Sequence, residues 1–146
     1  TLGAKTLIWT AGATGNEFVT KIPDIVLQKK NRITLNDHLE IEKYPDCFVI
    51  GDIADTKFSG LAQTAIYDGA YVASVIESKI EGSTIGAYVP KQVAYNIGVG
   101  HGWSITQVGN IVISGKISSI LRKIIDLKYF VSILPLSKVW KLNPFK

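Results

Sequence analysis

A short apolar run, residues 47–50, ends directly at Gly51 and Asp52, and this junction constrains the fold more than any other feature. A second run of β-formers, Thr6 to Thr10, ends at Gly12 after one intervening residue. Short apolar runs bounded by turn residues are typical of buried parallel strands. Open α/β sheets bind ligands at the carboxyl ends of their strands. The pattern therefore predicts an α/β fold with a binding crevice beside Asp52.

The residue types at this junction suit a sugar-like ligand. An ionised Asp52 can accept hydrogen bonds from two hydroxyls, such as those of a ribityl chain, and Gly51 allows the backbone to approach closely. The next helix is predicted to start near Ser59 and Gly60, with free N–H groups and a positive dipole end facing the same crevice. A Gly-Asp pair also occurs as a simple tight turn after a strand, and that alternative stays open.

Hydrophobic spacing predicts two helices around a β-hairpin. The first helix runs from Leu61 to Ile80 and ends at Glu81-Gly82-Ser83. A hairpin is predicted across Gly98 to Gly102, and a second helix follows. The predicted apolar face of the first helix comprises Ala62, Ala65, Ile66, Gly69, Val72, Ala73, Ile76 and Ile80. That of the second comprises Ile117, Ile120, Leu121, Ile124 and Ile125.

Charge is concentrated at the carboxyl end. Residues 116–146 contain seven Lys or Arg and one acid, Asp126, whereas residues 1–115 contain nine basic and eleven acidic residues. A basic segment interleaved with apolar residues can lie on an anionic membrane surface, or it can be a solvated helix face. Nucleic acid is a less favoured partner. Cys47, the only cysteine, is expected to pack as a small hydrophobe. No metal site is predicted.

Three segments in order resemble a known superfamily. TLIWTAGATGN resembles the strand and glycine turn by which pyridine-nucleotide-dependent flavoproteins return from their NAD(P) domain to their FAD domain. TLNDHLEI with YPDCFVIGD, and then a helix that begins LAQTAIYDGAYVA, resemble the second FAD-contacting motif and the helix after it. The resemblance covers roughly residues 6–80 and identifies the two-dinucleotide-binding flavoprotein superfamily.

The remaining sequence suggests a branch of that superfamily. KQVAYNIGVGHGWSITQVGNIVISGKISSILRKIIDLKYFVS resembles the tail of the apoptosis-inducing-factor-homologous group, the relatives of the ferroptosis-suppressing quinone reductase. Type II NADH dehydrogenases resemble the first half and are the alternative branch. Disulfide reductases are disfavoured because their carboxy-terminal His-Pro-x-x-x-Glu element is absent.

The resemblance implies a fold, a domain layout and a set of binding residues. The fold is a partial, three-layer Rossmann-like FAD/NAD(P)-binding fold with a carboxy-terminal β-hairpin and helix cap. Residues 1–16 would cross from the NAD(P) domain, residues 17–82 would complete the FAD domain, and residues 83–146 would form the cap. The FAD-binding residues implied are Gly12, Ala13, Gly51, Asp52, Leu61, Ala62 and Gln63. No catalytic residue is assigned.

The implied function is transfer of electrons from NAD(P)H through FAD to a quinone or similar acceptor. No GxGxxG motif follows a strand, so the FAD pyrophosphate cradle and most of the NAD(P) site are expected to precede Thr1, and this segment alone is expected to be inactive. The alternative from another class is an inactive membrane-associated or protein-interaction module. The expected location is cytoplasmic or mitochondrial, with peripheral membrane contact through the basic tail.

Overall fold

A computed structural model describes residues 3–8, 10 and 12–142, with the backbone alone for residues 140–142. The chain divides into two compact units, residues 1–91 and 92–146. Both helices and strands are present, which confirms the α/β class. The three-layer Rossmann-like arrangement stays a prediction.

The first unit joins two small antiparallel sheets to one long helix. Strands β1 (Leu27–Gln28) and β2 (Arg32–Ile33) form one hairpin, and β3 (Glu40–Ile41) and β4 (Tyr44–Phe48) form another. Short 3-10 turns cover Glu17–Lys21, Lys29–Asn31 and Gly51–Ile53, and helix α1 covers Ala62–Glu81. The core is a cluster of buried aliphatic side chains, Val19, Ile33 and Ile41, surrounded by half-buried apolar residues.

Both predicted parallel strands are wrong. Thr6, Leu7, Ile8 and Thr10 are not in a strand, and Leu7 and Ile8 are exposed; Trp9 and Ala11 lie outside the described residues. Residues 44–48 form a strand, but it pairs antiparallel with β3 and Cys47 is exposed rather than packed. A buried parallel strand needs partners on both sides and a cover on both faces. The described part of the chain supplies neither for these two runs.

Helix α1 begins and ends near the predicted residues, but its predicted face is wrong. Gly82, with φ 68° and ψ 22°, ends the helix in the left-handed conformation that favours glycine. The buried positions are Thr64, Asp68, Val72, Val75 and Ser78. The predicted face contains only Val72 of these, whereas Ile66, Ile76 and Ile80 are exposed. The hydrophobic spacing predicted the helix correctly. Tertiary packing, however, buries a partly polar face of it rather than the predicted apolar face.

The second unit is a three-stranded antiparallel sheet followed by two helices. Strands β5 (Tyr95–Gly100), β6 (Trp103–Val108) and β7 (Ile111–Gly115) lie in the order β5-β6-β7. Helix α2 covers Lys116–Ile133 and helix α3 covers Leu136–Leu142. The predicted hairpin and second helix are confirmed, and a further turn between Val108 and Ile111 adds strand β7 between them.

Helix α2 contacts the sheet through polar residues. The Asn96 amide donates to the Oγ atoms of Ser104 and Ser118, at 3.0 and 3.1 Å, and the Ser118 hydroxyl lies 2.7 Å from those of Ser104 and Thr106. Both serines and Thr106 are buried. The predicted apolar stripe of α2 is mostly exposed, since Ile117, Ile120, Ile124 and Ile125 are each more than 40% accessible to solvent. No helix among the described residues is long and apolar enough to cross a membrane.

Candidate functional site

A cleft of about 420 Å³ lies in the first unit beside the Gly51–Ile53 turn. Its wall is formed by residues 13–16, by Lys30 and Arg32 of the β1–β2 hairpin, by Asp52 and Ile53, and by Gly60. Residues from four separate parts of the sequence therefore meet here. One carboxylate, two cationic side chains and glycine-rich backbone provide donors and acceptors for a polar, partly anionic ligand.

The Gly51–Asp52 turn presents its carboxylate at this cleft. Ile50 is extended, and Gly51 has a φ of 74°, a value at which most residues with a Cβ are strained. The N–H of Ala54 then donates to the Gly51 carbonyl at 3.1 Å, which closes a 3-10 turn. Gly51 is buried, whereas Asp52 is exposed and lines the cleft. The backbone reversal at Gly51 thus places the Asp52 side chain where a ligand can reach it.

A buried carboxylate from helix α1 supports this turn. Asp68 is 0% exposed, and its Oδ2 atom accepts a hydrogen bond from the Gly51 N–H at 3.0 Å. Its Oδ1 atom accepts a hydrogen bond from the hydroxyl of Tyr88. The sequence analysis missed Asp68. Asp68 is four positions from Val72, which places both residues on the same helix face, and this spacing was the available signal. An acidic residue on a buried face needs hydrogen-bond partners.

The wall formed by residues 13–16 is attached to the β1–β2 hairpin. The carbonyl of Lys30 accepts the N–H of Gly15 at 2.7 Å and the hydroxyl of Thr14 at 2.9 Å. Asn16 caps the following 3-10 turn, since its side chain accepts the N–H of Phe18 at 2.9 Å. These bonds fix residues 13–16 on the hairpin. The segment belongs to the glycine turn that was predicted to cross from the NAD(P) domain to the FAD domain. Ala13 and Asp52 both line this cleft.

Two cationic side chains flank the cleft, and the sequence analysis missed both. The Lys30 ammonium lies 3.5 Å from the position that a Cβ atom on Gly12 would take. The Arg32 guanidinium donates to the Ser59 carbonyl at 3.3 Å, and the Ser59 hydroxyl donates to the Gly51 carbonyl at 3.2 Å. Arg32 thereby joins the hairpin to the loop before α1. The basic sequence KKNR between two short strands was the available signal.

The amino terminus of α1 lies directly after the cleft residue Gly60. The helix begins at Ala62 rather than at Ser59 or Gly60, and its N-cap, Leu61, makes no side-chain capping bond. Free N–H groups in the first turn can therefore receive an electron-rich group. Leu61 is half-buried, whereas Ala62 and Gln63 are exposed. The Gln63 amide donates to the Tyr67 hydroxyl at 3.3 Å.

The predicted site residues thus fall into two groups. Ala13 and Asp52 line the cleft, whereas its wall does not include the other five: Gly12, Gly51, Leu61, Ala62 and Gln63. Other residues line the cleft or form hydrogen bonds with its turn and loop, and they are outside the predicted set of seven: Thr14, Gly15, Asn16, Lys30, Arg32, Ile53, Ser59, Gly60 and Asp68.

Several curated proteins are similar to this chain. A "Type II NADH:quinone oxidoreductase" of Staphylococcus haemolyticus is 29% identical over 99% of the chain and 37% of its own length. One of Staphylococcus saprophyticus is 28% identical over 87% of the chain and 33% of its own length. One of Mycobacterium tuberculosis is 26% identical over 85% of the chain and 28% of its own length. The chain is similar to type II NADH:quinone oxidoreductases.

The similarity to type II NADH:quinone oxidoreductases extends through both units, because a match of 99% includes residues on each side of Gln92. The chain spans about a third of the length of these relatives, from 28% to 37% in the three cases. No protein-family model matches the chain. The names of the relatives agree with the predicted class of enzyme, an oxidoreductase with a nicotinamide donor and a quinone acceptor.

Proposed function

We propose that this chain forms the FAD-holding part of an NADH:quinone oxidoreductase of the pyridine-nucleotide-dependent flavoprotein superfamily. The observation that carries the proposal is the cleft that Asp52 lines together with Ala13, Lys30 and Arg32. The names of the relatives contain NADH and quinone, and we propose these as the electron donor and the electron acceptor here as well. The relatives favour the type II branch. The apoptosis-inducing-factor-like branch stays a prediction.

The residues of the cleft fit FAD. Asp52 would accept hydrogen bonds from ribityl hydroxyls, because its exposed carboxylate is an acceptor without donors of its own. Lys30 and Arg32 would attract the pyrophosphate, and the free N–H groups at the start of α1 would face the electron-rich edge of the flavin ring. When bound, the flavin accepts hydride from NADH and passes electrons to a quinone. The chain binds and orients this group.

The proposed domain layout follows the superfamily. Residues 1–16 would cross from the NAD(P) domain, residues 17–82 would complete the FAD domain, and residues 83–146 would form the cap. The NADH site and the main pyrophosphate cradle would then be contributed by other parts of the whole protein. The relatives support this layout because each is about three times as long as the stretch that it shares with this chain.

Helix α2 supports a second element of the proposal, contact with an anionic membrane surface. Its exposed isoleucines, Ile117, Ile120 and Ile124, recur at helical spacing. Lys116 and Lys128 on the same helix are also exposed. An apolar stripe with adjacent basic residues suits insertion at the headgroup level of a bilayer. Such a position would bring the protein to a lipid-soluble quinone. The predicted cytoplasmic or mitochondrial location stays a prediction.

Aromatic residues of the second unit could add to such a membrane-facing surface or could instead cover the flavin domain. Trp103 and Tyr129 are exposed, and Phe130 is half-buried. The Trp140 side chain and Phe145 lie outside the described residues. The exposed isoleucines of α2 carry the proposed membrane contact.

The visible absorption spectrum of the full-length protein that contains this chain tests the FAD proposal. We expect a bound flavin spectrum, and we expect Asp52→Ala to raise the Kd for FAD about tenfold or more, since hydrogen bonds to a charged group contribute about 1.5–3 kcal/mol. Asp55→Ala is the matched control, because Asp55 is an exposed acid on the same segment and outside the cleft wall. A folded full-length protein that stays colourless after FAD is added would contradict the proposal. It would favour the inactive membrane or protein-interaction module.

A further inference from the structure

The buried carboxylate of Asp68 lies behind the turn that presents Asp52 to the cleft. Asp68 is fully buried on helix α1, and it accepts the N–H of Gly51 at 3.0 Å. Gly51 is the residue at which the backbone reverses, with a φ of 74°. The hydrogen bond therefore acts on the Ile50–Gly51 peptide, which directly precedes the Gly51–Asp52 peptide. A shift of this peptide would move the Asp52 side chain relative to Ala13 and Gly60.

Packing alone does not explain an acidic residue at this position. An ionised carboxylate loses its hydration when it is buried, and apolar residues of similar volume often stabilise a core as well or better. Among the described residues, no Lys or Arg forms a salt bridge with Asp68. Its partners are instead a backbone N–H and a tyrosine hydroxyl, both of which fix the direction of the carboxylate.

We propose that Asp68 is a positioning residue that holds Gly51 so that Asp52 faces the FAD cleft, with Tyr88 fixing the orientation of the Asp68 carboxylate. This inference rests on the proposed function. Asp68 contacts the turn through Oδ2 and Tyr88 through Oδ1, so the two oxygens have separate tasks. A side chain with one acceptor toward Gly51 and a second group that forms a hydrogen bond with the Tyr88 hydroxyl, as acceptor or as donor, would preserve the arrangement.

Tyr88 is itself held in place by two contacts. Its N–H donates to the Asp37 carbonyl at 2.7 Å, and its ring lies 5.1 Å from that of Tyr71. Burial, together with the hydrogen bond to Asp68, raises the pKa of the Tyr88 hydroxyl well above its usual range. The hydroxyl therefore stays protonated and donates to Asp68 throughout the range in which the protein would function. Tyr88 thus fixes one oxygen of the carboxylate while Gly51 contacts the other.

FAD titration of the apo form of the full-length protein, followed by flavin fluorescence, tests the role of Asp68. We expect Asp68→Ala to raise the Kd for FAD about tenfold or more, because it leaves the Gly51 N–H without its acceptor. Asp68→Asn offers an amide oxygen to Gly51 and an NH₂ group to Tyr88, so we expect it to restore the Kd to within about threefold of the parent value.

A second core variant separates positioning from stability. Val75 is 2% exposed on the same helix, so Val75→Ala removes two buried methyl groups and should lower the resistance of the apoprotein to urea. We expect its Kd for FAD to stay near that of the parent. An equal rise in Kd for Val75→Ala and Asp68→Ala at matched loss of stability would overturn the positioning role. Failure of Asp68→Asn to restore binding would overturn it as well.

The remaining outcomes are also decisive. If Asp68→Ala does not fold, Tyr88→Phe removes only the hydroxyl, and we expect a rise in Kd of about threefold. An unchanged Kd in Tyr88→Phe would then overturn the inference. A parent protein that does not bind FAD would refute the proposed function itself and the positioning role with it. A parent that binds FAD, with Asp68→Ala binding equally well, would refute the positioning role alone.

Discussion

A Cβ atom on Gly15 would lie 2.3 Å from the carbonyl oxygen of Asn31, closer than any side-chain carbon can approach a backbone oxygen. The wall of the cleft therefore depends on glycine for close approach rather than for an unusual backbone angle. The hydrogen bond between the Gly15 N–H and the Lys30 carbonyl, at 2.7 Å, keeps the two segments at this separation. A larger residue has to separate them or break that bond.

We predict that Gly15→Ala lowers the free energy of unfolding by about 1–3 kcal/mol, the usual cost of inserting a methyl group into a tightly packed site. Urea denaturation of the full-length protein measures the change. Gly86→Ala is the matched control, since nothing lies within 4 Å of a Cβ atom at Gly86. We expect it to change the stability by less than about 0.5 kcal/mol. Equal effects of the two substitutions would contradict the close approach.

Because Lys30 lines the cleft with a positive charge, we predict that the Kd for FAD depends on salt concentration. If Lys30 attracts the pyrophosphate, Lys30→Gln should weaken FAD binding several-fold at low salt and should reduce the dependence of the Kd on salt concentration. The effect should be modest because Lys30 is exposed. Lys29→Gln is the control, because Lys29 is also exposed but does not line the cleft. A Kd for Lys30→Gln that rises with salt as steeply as in the parent would exclude this contact.

The buried Glu40 predicts a pH-dependent contribution to stability. Its hydrogen bond with Lys79, the largest effect, lowers the pKa of Glu40 below its usual value despite the opposing effect of burial. A carboxyl with a lowered pKa in the folded state stabilises the protein above its unfolded pKa, and that stability is lost as pH falls through the folded pKa. We therefore expect Glu40→Gln to lower the Tm at neutral pH, with a smaller difference from the parent in acid.

Thermal unfolding at several pH values between neutral and strongly acidic measures this difference. Glu42→Gln is the control, because Glu42 is exposed on the turn between the same two strands. A difference between Glu40→Gln and the parent that stays constant through the acid range would show that Glu40 does not stabilise the fold as a carboxylate.

The exposed isoleucines of α2 predict binding to lipid. We expect Ile120→Glu and Ile124→Glu each to weaken co-sedimentation of the full-length protein with anionic phosphatidylglycerol vesicles, since they place charge in the stripe that would enter the bilayer. Ile66→Glu is the matched control, because Ile66 is an isoleucine of similar exposure on helix α1. If the parent protein does not sediment with these vesicles, the membrane contact is wrong.

Local patterns predicted the parts of the fold that depend on local chemistry. The Gly51–Asp52 turn, the end of α1 at Gly82 and the hairpin between β5 and β6 each have glycine at a position where the backbone needs it. The two parallel strands were wrong because the pairing of a strand depends on its neighbours, which an isolated apolar run does not specify. Cys47 is an example: it was expected to be buried, but it lies exposed on a strand of a two-stranded sheet.

The candidate site was predicted only in its chemically obvious part. Asp52 follows a glycine at the end of an apolar run, so its sequence context identified it. Asp68 lies on a helix between apolar residues, and its partners, Gly51 and Tyr88, are 17 and 20 positions away in the sequence. Lys30 and Arg32 looked like ordinary surface charge. Their roles depend on which loops meet, and only the tertiary structure shows this.

The hydroxyl and amide network between α2 and its sheet has a consequence for how this region can change over generations. Hydrogen bonds among Asn96, Ser104, Thr106 and Ser118 require matched donors and acceptors at fixed distances, so few replacements preserve all of them. The exposed isoleucines face no such requirement, and one branched aliphatic residue can replace another. We therefore expect the small polar residues, rather than the large apolar ones, to be the slowest to diverge in this unit.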